Sequence, residues 1–126
     1  MRTVRMGDRD VALAGGALTP LAWHRAFGDD ALVDAAVRID RYLATDAESN
    51  AEAVKAGEKT SYTDGFPATD VLKCAYALAW TADYATGAPT PPFEAWLAQA
   101  GGVDVFALAL EVSAELSAGL FRRAQR

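Results

Sequence analysis

The feature that most constrains this chain is a nearly uncharged run in its middle. Between residues 71 and 84 only Lys73 and Asp83 carry a charge. A helix over this run is apolar around most of its circumference, so other parts of the protein must cover it on several sides. We therefore expect the chain to pack around a central helix that starts near Pro67 and ends at Gly87.

Two faces of this central helix carry different side chains. One face is expected to be buried in the hydrophobic core because it is lined by small and aliphatic residues: Val71, Leu72, Ala75, Leu78, Ala79 and Ala82. The other face carries aromatic residues at every fourth position: Tyr76, Trp80 and Tyr84. This aromatic row needs a second partner, which is either another helix of this chain or another protein. Since aromatic residues dominate the energetics of helix-in-groove interfaces, these three are the candidate partner-binding residues.

Length and composition favour one mainly α-helical domain over residues 1–126. The chain is long enough for a single hydrophobic core, and 52% of its residues are hydrophobic, many of them alanine, the strongest helix former. The pattern predicts about four to five helices behind a short N-terminal β-hairpin, which lies on the helices or adds to another sheet. The hairpin occupies residues 3–14, the helical core 19–44 and 67–123, and a mobile polar loop 45–65.

Charge and cysteine content narrow the class of function. The net charge of -5 argues against a nucleic-acid partner, because such binding depends on clustered cations. The basic residues near the C-terminus are interpreted as complementing a helix dipole: Arg122, Arg123 and Arg126. A single cysteine, Cys74, excludes an internal disulfide. With no uncharged run of about 20 residues and no apolar signal segment, we expect a cytoplasmic protein outside the membrane.

Local signals predict where the helices begin and end. Gly28 is expected to end the first helix in the left-handed conformation. The predicted capping residues are polar ones that precede each helix: Thr19 for the first, Asp29 or Asp30 for the second over about 31–44, and Thr90 for a short helix over 93–100.

Charged side chains on two helices are predicted to point into solvent. Asp34 and Arg38 stand four residues apart on the second helix, where an exposed pair contributes about a few tenths of a kcal/mol. The last helix, over about 104–123, is predicted to turn Glu111 and Glu115 outward.

The sequence contains no recognisable catalytic constellation. His24 is the only candidate base, and no nucleophile is placed beside it by a motif, so we interpret it as structural. The carboxylates mostly cap helices or line outer faces, and no glycine-rich phosphate loop is present. We therefore expect no enzymatic activity, no cofactor and no metal site.

Two phrases of the sequence resemble those of a known family. The first reads aromatic, x, Arg, x, Phe-Gly, x, Asp, and is filled by Trp23, Arg25, Phe27, Gly28 and Asp30. The second is an apolar helix, a proline-bearing spacer and a Phe-Glu-x-Trp-Leu box, which contains Phe93, Trp96 and Leu97. With the hairpin before them, these phrases resemble the tail assembly chaperones of long-tailed phages and prophages over most of the chain.

The resemblance implies a small, mainly helical protein that binds the tape measure protein and recruits tail-tube subunits. Such a protein acts by protein–protein binding in the cytoplasm of the bacterial host and is absent from the finished particle. The motif residues are expected to be structural, and self-association is left open. The chain departs from the family pattern at 118–121, where Ala-Gly-Leu-Phe replaces a tryptophan-containing ending.

Three alternative functions remain at this stage. The chain could be a minor tail or head–tail joining protein that stays in the virion. It could be an enzyme, which would require carboxylates gathered around His24. It could also be a ligand-binding helical module, which would require an enclosed apolar cavity against Trp80.

Overall fold

An antiparallel hairpin precedes five helices in the computed structural model, which describes residues 1–45 and 65–120. The fold is therefore mainly helical with a two-stranded N-terminal hairpin, as predicted. In chain order the elements are β1 (Arg2–Met6), β2 (Arg9–Leu13), α1 (Leu18–Phe27), α2 (Leu32–Thr45), α3 (Ala68–Thr86), α4 (Phe93–Ala100) and α5 (Val105–Gly119).

The hairpin turns at Gly7 and Asp8 and lies against the helices. Its register pairs Met6 with Arg9 and Arg2 with Leu13, and Gly7 adopts a φ of 65° that suits a tight turn. Met6 and Leu13 are completely buried. The N–H of Ala14 donates to the carbonyl of Leu78 at 3.1 Å, so the end of β2 is tied to the middle of α3.

Helix α3 is the central element. It contacts β2 and all four other described helices. Nine of its residues, which lie around most of the helix circumference, are buried: Val71, Cys74, Ala75, Tyr76, Ala77, Leu78, Ala79, Thr81 and Ala82. The uncharged run thus receives the cover that its composition requires.

The predicted glycine ends are confirmed. Gly28 follows α1 with a φ of 79°, and Gly87 follows α3 with a φ of 76°. A carboxylate oxygen of Asp29 accepts the N–H of Ala31 at 3.0 Å, just before α2. Asp104 likewise accepts the N–H of Ala107 at the start of α5. These signals act within a few residues and need no tertiary partner.

The capping role predicted for Thr19 is wrong. Helix α1 begins at Leu18, and the Thr19 side chain is buried inside it. The hydroxyl of Thr19 accepts the N–H of Gly16 at 3.2 Å and lies 2.9 Å from the hydroxyl of Thr81. Thr81 in turn donates to the carbonyl of Ala77 at 2.8 Å. A buried pair of hydroxyls therefore joins α1 to α3.

Thr90 does not cap α4 either. Its hydroxyl donates to a carboxylate oxygen of Asp83 at 2.6 Å, whereas Pro92 occupies the N-cap position without a side-chain bond. The nearby carboxylate at the end of α3 competes successfully for this hydroxyl, so Thr90 fastens the proline-rich spacer to α3 instead.

Two charge assignments are corrected as well. Arg38 binds Asp70 of α3 through two hydrogen bonds of 2.7 and 3.0 Å, rather than Asp34 on its own helix. Glu115 does not point outward, because it is 5% exposed and accepts bonds from Arg2 Nε at 3.0 Å and from the N–H of Gly15 at 2.9 Å. A carboxylate that satisfies a backbone donor and an arginine can remain buried.

Arg2 joins the hairpin to α5. Its guanidinium donates to Glu111 at 2.8 Å and to Glu115, and these two hydrogen bonds raise the pKa of Arg2 above its ordinary value. Glu111 keeps 45% of its side chain exposed. The prediction of an outward position therefore fits Glu111 better than Glu115.

Some predictions fall outside the described residues. Apart from its two end residues, the segment 45–65 that we expect to be a mobile loop is one of them. The same holds for the predicted end of the last helix beyond Leu120 and for the three C-terminal arginines. None of the helices over the described ranges is both long and apolar enough to cross a lipid bilayer.

The backbone at Gly15 lies against the end of α5 at Gly119. A Cβ atom at Gly119 would come within 2.6 Å of the Gly15 carbonyl carbon and 2.7 Å of its Cα. Backbone atoms cannot swing aside as a flexible side chain can, so this contact requires glycine.

We predict that Gly119→Ala lowers the free energy of unfolding by about 1–3 kcal/mol, because the added methyl group forces the backbone at Gly15 away from α5. Helix propensity alone would give the opposite sign, since alanine favours a helix over glycine by about 1 kcal/mol. Urea denaturation measures the difference. The control is Gly16→Ala, where a Cβ meets no atom within 4 Å and stability should change little. Equal stabilities for the two variants would contradict the close approach.

Candidate functional site

The two motif phrases meet around Tyr76. The ring of Phe27, from the first phrase, packs edge-on against Phe93, from the second, with centroids 4.9 Å apart. Tyr76 contacts Phe93 and Trp96, each at 5.3 Å, and Phe27 at 6.1 Å. Such edge-to-face pairs stabilise beyond their buried area. Segments about 65 residues apart in sequence are thus joined through one tyrosine of α3.

Trp23 fixes the turn between α1 and α2. Its indole N–H donates to Asp29 at 2.6 Å, while the same carboxylate accepts the N–H of Ala31. The hydrogen bond from Trp23, reinforced by that from Ala31, lowers the pKa of Asp29 below its ordinary value. Trp23 is 2% exposed, and its ring packs edge-on against Phe27 at 4.9 Å. The first phrase therefore builds a rigid corner.

The ammonium group of Lys73 lies over the two rings of this corner. Its Nζ lies 4.9 Å from the centroid of the Phe27 ring and 5.7 Å from that of Trp23. Both distances suit a cation–π contact. We did not single out Lys73 from the sequence. The available signal was its position three residues before Tyr76, which places it beside the aromatic row of α3.

A cleft of about 280 Å³ opens between α1, α3 and the start of α4. We call it the aromatic cleft. It is lined by Ala22, Arg25, Ala26, Tyr76, Trp80, Pro92 and Phe93. Ala22 and Ala26 of α1 are too small to fill this space. The aromatic rings of α3 and α4 form its walls. Two of the three predicted partner-binding residues line this cleft together with a residue of each motif phrase.

The three predicted partner-binding residues differ in exposure. Tyr76 is 5% exposed, and its hydroxyl donates to the carbonyl of Pro91 at 2.6 Å. Burial raises the pKa of Tyr76. Trp80 is half-buried, whereas Tyr84 is 60% exposed and stacks on Trp80 with a centroid distance of 5.4 Å. Trp80 and Tyr84 therefore offer ring surface to a partner, while Tyr76 belongs to the core.

Arg25 supplies the charge of the aromatic cleft. It is exposed, it is the one ionisable residue besides Tyr76 in the lining, and no hydrogen bond or ion pair ties it to another described residue. A free guanidinium beside an apolar wall suits a carboxylate that follows an apolar side chain into the cleft. The cleft can therefore bind an acidic amphipathic segment.

The remaining motif residues have structural positions. Trp96 is 7% exposed, and Leu97 packs against the same core as Phe93. Gly28 supplies the left-handed end of α1. Asp30 lies on the surface, where its carboxylate is 2.9 Å from Nδ1 of His24.

The described residues offer no assembled catalytic or metal centre around His24. Its side chain is 54% exposed, and among the described residues Asp30 is its one ion-pair partner. No group of three potential ligands among histidine, cysteine, aspartate and glutamate occurs within residues 1–45 and 65–120.

Cys74 is enclosed by the core of α3. It is 0% exposed, and burial, with a smaller contribution from Asp70, raises the pKa of its thiol to about 12. The thiolate is the reactive form, so the native protein presents an inert cysteine. Buried in this way, Cys74 behaves as a small hydrophobe.

No protein-family model matches this chain, and no curated protein or solved structure matches it either.

We predict that Asp29→Asn reduces stability at neutral pH and flattens the acid limb of the stability profile. The folded pKa of Asp29 is depressed, so its contribution is present above the unfolded value of about 3.9 and is lost as pH falls through the folded pKa. Urea denaturation from about pH 7 to about pH 2 measures the profile. Asp8→Asn, at the exposed hairpin turn, is the control. Superimposable profiles for Asp29→Asn and wild type would exclude this role.

We also predict that iodoacetamide labels Cys74 in the native protein at pH 8 about a thousandfold more slowly than it labels a free thiol. The reason is that a thiol pKa near 12 leaves correspondingly little thiolate. Mass spectrometry follows the adduct, and addition of denaturant should restore rapid labelling. Fast labelling without denaturant would show that the core around α3 opens readily.

Proposed function

We propose that this chain is a tail assembly chaperone of a long-tailed phage or prophage. In this proposal it binds the tape measure protein and helps to recruit tail-tube subunits, by protein–protein binding and without catalysis. The observation that carries the proposal is the aromatic cleft, because the two phrases that resemble the chaperone family converge to form its walls.

The cleft has the chemistry expected for an apolar helical client. Trp80 and Tyr84 form a stacked pair whose outer ring surface is open, and Phe93 and the alanines of α1 continue the apolar wall. Amphipathic helices dock in such grooves through side chains spaced three or four residues apart. A tape measure protein, long and rich in apolar helix, offers many segments of this kind.

The net negative charge supports the same function. The chain carries a net charge of -5, which favours solubility of a complex with an apolar client. Under the proposal the chain works in the host cytoplasm during assembly and leaves before the particle is complete. A structural tail protein would instead remain bound, which purified particles can reveal by mass spectrometry.

We predict that Tyr84→Ala weakens tape measure binding by about tenfold while leaving the fold intact. Tyr84 stacks on Trp80 of the cleft and is exposed, so its ring can add to the contact with a client, yet its removal leaves no cavity in the core. The measurement is co-expression with the tape measure protein of the same genome, followed by size-exclusion chromatography with light scattering. Affinity is then measured by titration of a soluble tape measure fragment.

Leu110→Ala is the matched control, because Leu110 is 50% exposed on α5, away from the cleft. It should bind like wild type. If wild type itself fails to keep the tape measure protein soluble, the chaperone proposal is lost. If Tyr84→Ala and Leu110→Ala bind equally well, the chaperone function stands but the client uses another surface.

A further inference from the structure

A second apolar surface lies on the outer side of α2. Val33 is 52% exposed and Val37 is 45% exposed, and the two stand one helical turn apart. Asp34 projects beside them, within about 100° of the helix circumference. We call these three residues the α2 ridge. They are exposed, so the ridge does not insert into the aromatic cleft of its own chain.

Asp34 is available to an outside partner. Arg38, the cation one turn along α2, is held by Asp70 through two hydrogen bonds. Asp34 makes no hydrogen bond or ion pair to another residue in the described ranges, so its link to Arg38 is only the longer-range attraction between charges. The ridge therefore presents two apolar side chains and one free carboxylate.

The ridge and the aromatic cleft are complementary. Among the described residues, the cleft is concave, lined mainly by aromatic and small side chains, and carries the unpaired cation Arg25, whereas the ridge is convex and carries two valines and the unpaired anion Asp34. Valine side chains are small enough for a space of about 280 Å³ between rings and alanines. Opposite charges beside an apolar contact fix the register and suppress other partners.

We infer that the aromatic cleft binds the α2 ridge of a second copy of this chain, with Arg25 facing Asp34 of that copy. The contact joins two different surfaces. In a pair, one copy therefore keeps a free ridge and the other keeps a free cleft. Repetition then produces a head-to-tail row of copies rather than a closed two-fold dimer. The contact is small, so self-association is weak and concentration-dependent.

This inference does not depend on the proposed chaperone function, because it concerns copies of this chain alone. Where both hold, a client helix and a neighbouring ridge compete for the same cleft. A client would then separate copies that had covered each other's apolar surfaces, by simple competition of binding equilibria.

The test uses charge reversal and mixing. Arg25→Glu disables the cleft but keeps the ridge, and Asp34→Arg disables the ridge but keeps the cleft. Both side chains are exposed and unpaired among the described residues, so circular dichroism should show folds like wild type. Sedimentation equilibrium at low salt, up to about 1 mM protein, measures the average mass over the range expected for a weak contact.

We predict that the average mass of wild type rises above 13.3 kDa with concentration and that each single variant stays monomeric. An equimolar mixture of the two variants should regain association and form rows in which the variants alternate, since the native pair and the charge-exchanged pair both place opposite charges against each other. The double variant R25E/D34R, with the charges exchanged, should again form longer rows. Asp8→Arg, which changes the net charge as Asp34→Arg does, should behave like wild type.

Three results would overturn the inference. Wild type that stays monomeric up to about 1 mM would show that the contact does not form. Single variants that associate like wild type would place the contact elsewhere. A mixture that stays monomeric, although wild type associates, would show that Arg25 and Asp34 do not meet across the interface.

Discussion

The rest of this structure depends on covering one helix that has almost no polar face. Helix α3 is buried along nearly its whole circumference, and every described helix as well as β2 contacts it. Small side chains make this arrangement feasible, because alanine lets neighbouring backbones approach while aliphatic residues fill the remaining space. The hairpin, which could not be stable alone, gains its stability by covering part of this surface.

Tyr76 shows how a single position joins local signals into a site. Its ring packs between the corner built by Trp23 and Phe27 and the short helix that carries Phe93 and Trp96. Its hydroxyl also holds the proline-rich spacer through Pro91. The cleft beside it has fixed aromatic walls, so a partner would meet a largely preformed surface and lose little free energy to ordering it.

The sequence predicts this fold best where the cause is local. Gly28 and Gly87 end their helices because left-handed backbone favours glycine, and the periodicity of α3 marks the buried face. Prediction failed where a carboxylate on another helix competes for the same polar group. Arg38 prefers Asp70 to Asp34, and Thr90 prefers Asp83 to a helix start.

The candidate site follows the same rule. The aromatic spacing identified the row on α3, but spacing cannot show that Tyr76 is covered while Tyr84 is open, since cover comes from α1 and α4. Glu115 looked like a surface carboxylate because its partners, Arg2 and Gly15, are about 100 residues away in sequence. Only the folded backbone brings them together.

The hydrogen bond between the hydroxyls of Thr19 and Thr81 limits how α1 can be aligned along α3. An alanine-rich helix offers a nearly uniform groove, along which a neighbour could shift by one turn at little cost in apolar contact. The row of donors runs in one direction, from the Gly16 N–H through Thr19 and Thr81 to the Ala77 carbonyl. A shift of one turn would break the bond between the two buried hydroxyls and leave each with only its local partner, Gly16 for Thr19 and Ala77 for Thr81. This polar pair therefore selects one alignment from several that hydrophobic packing alone would tolerate.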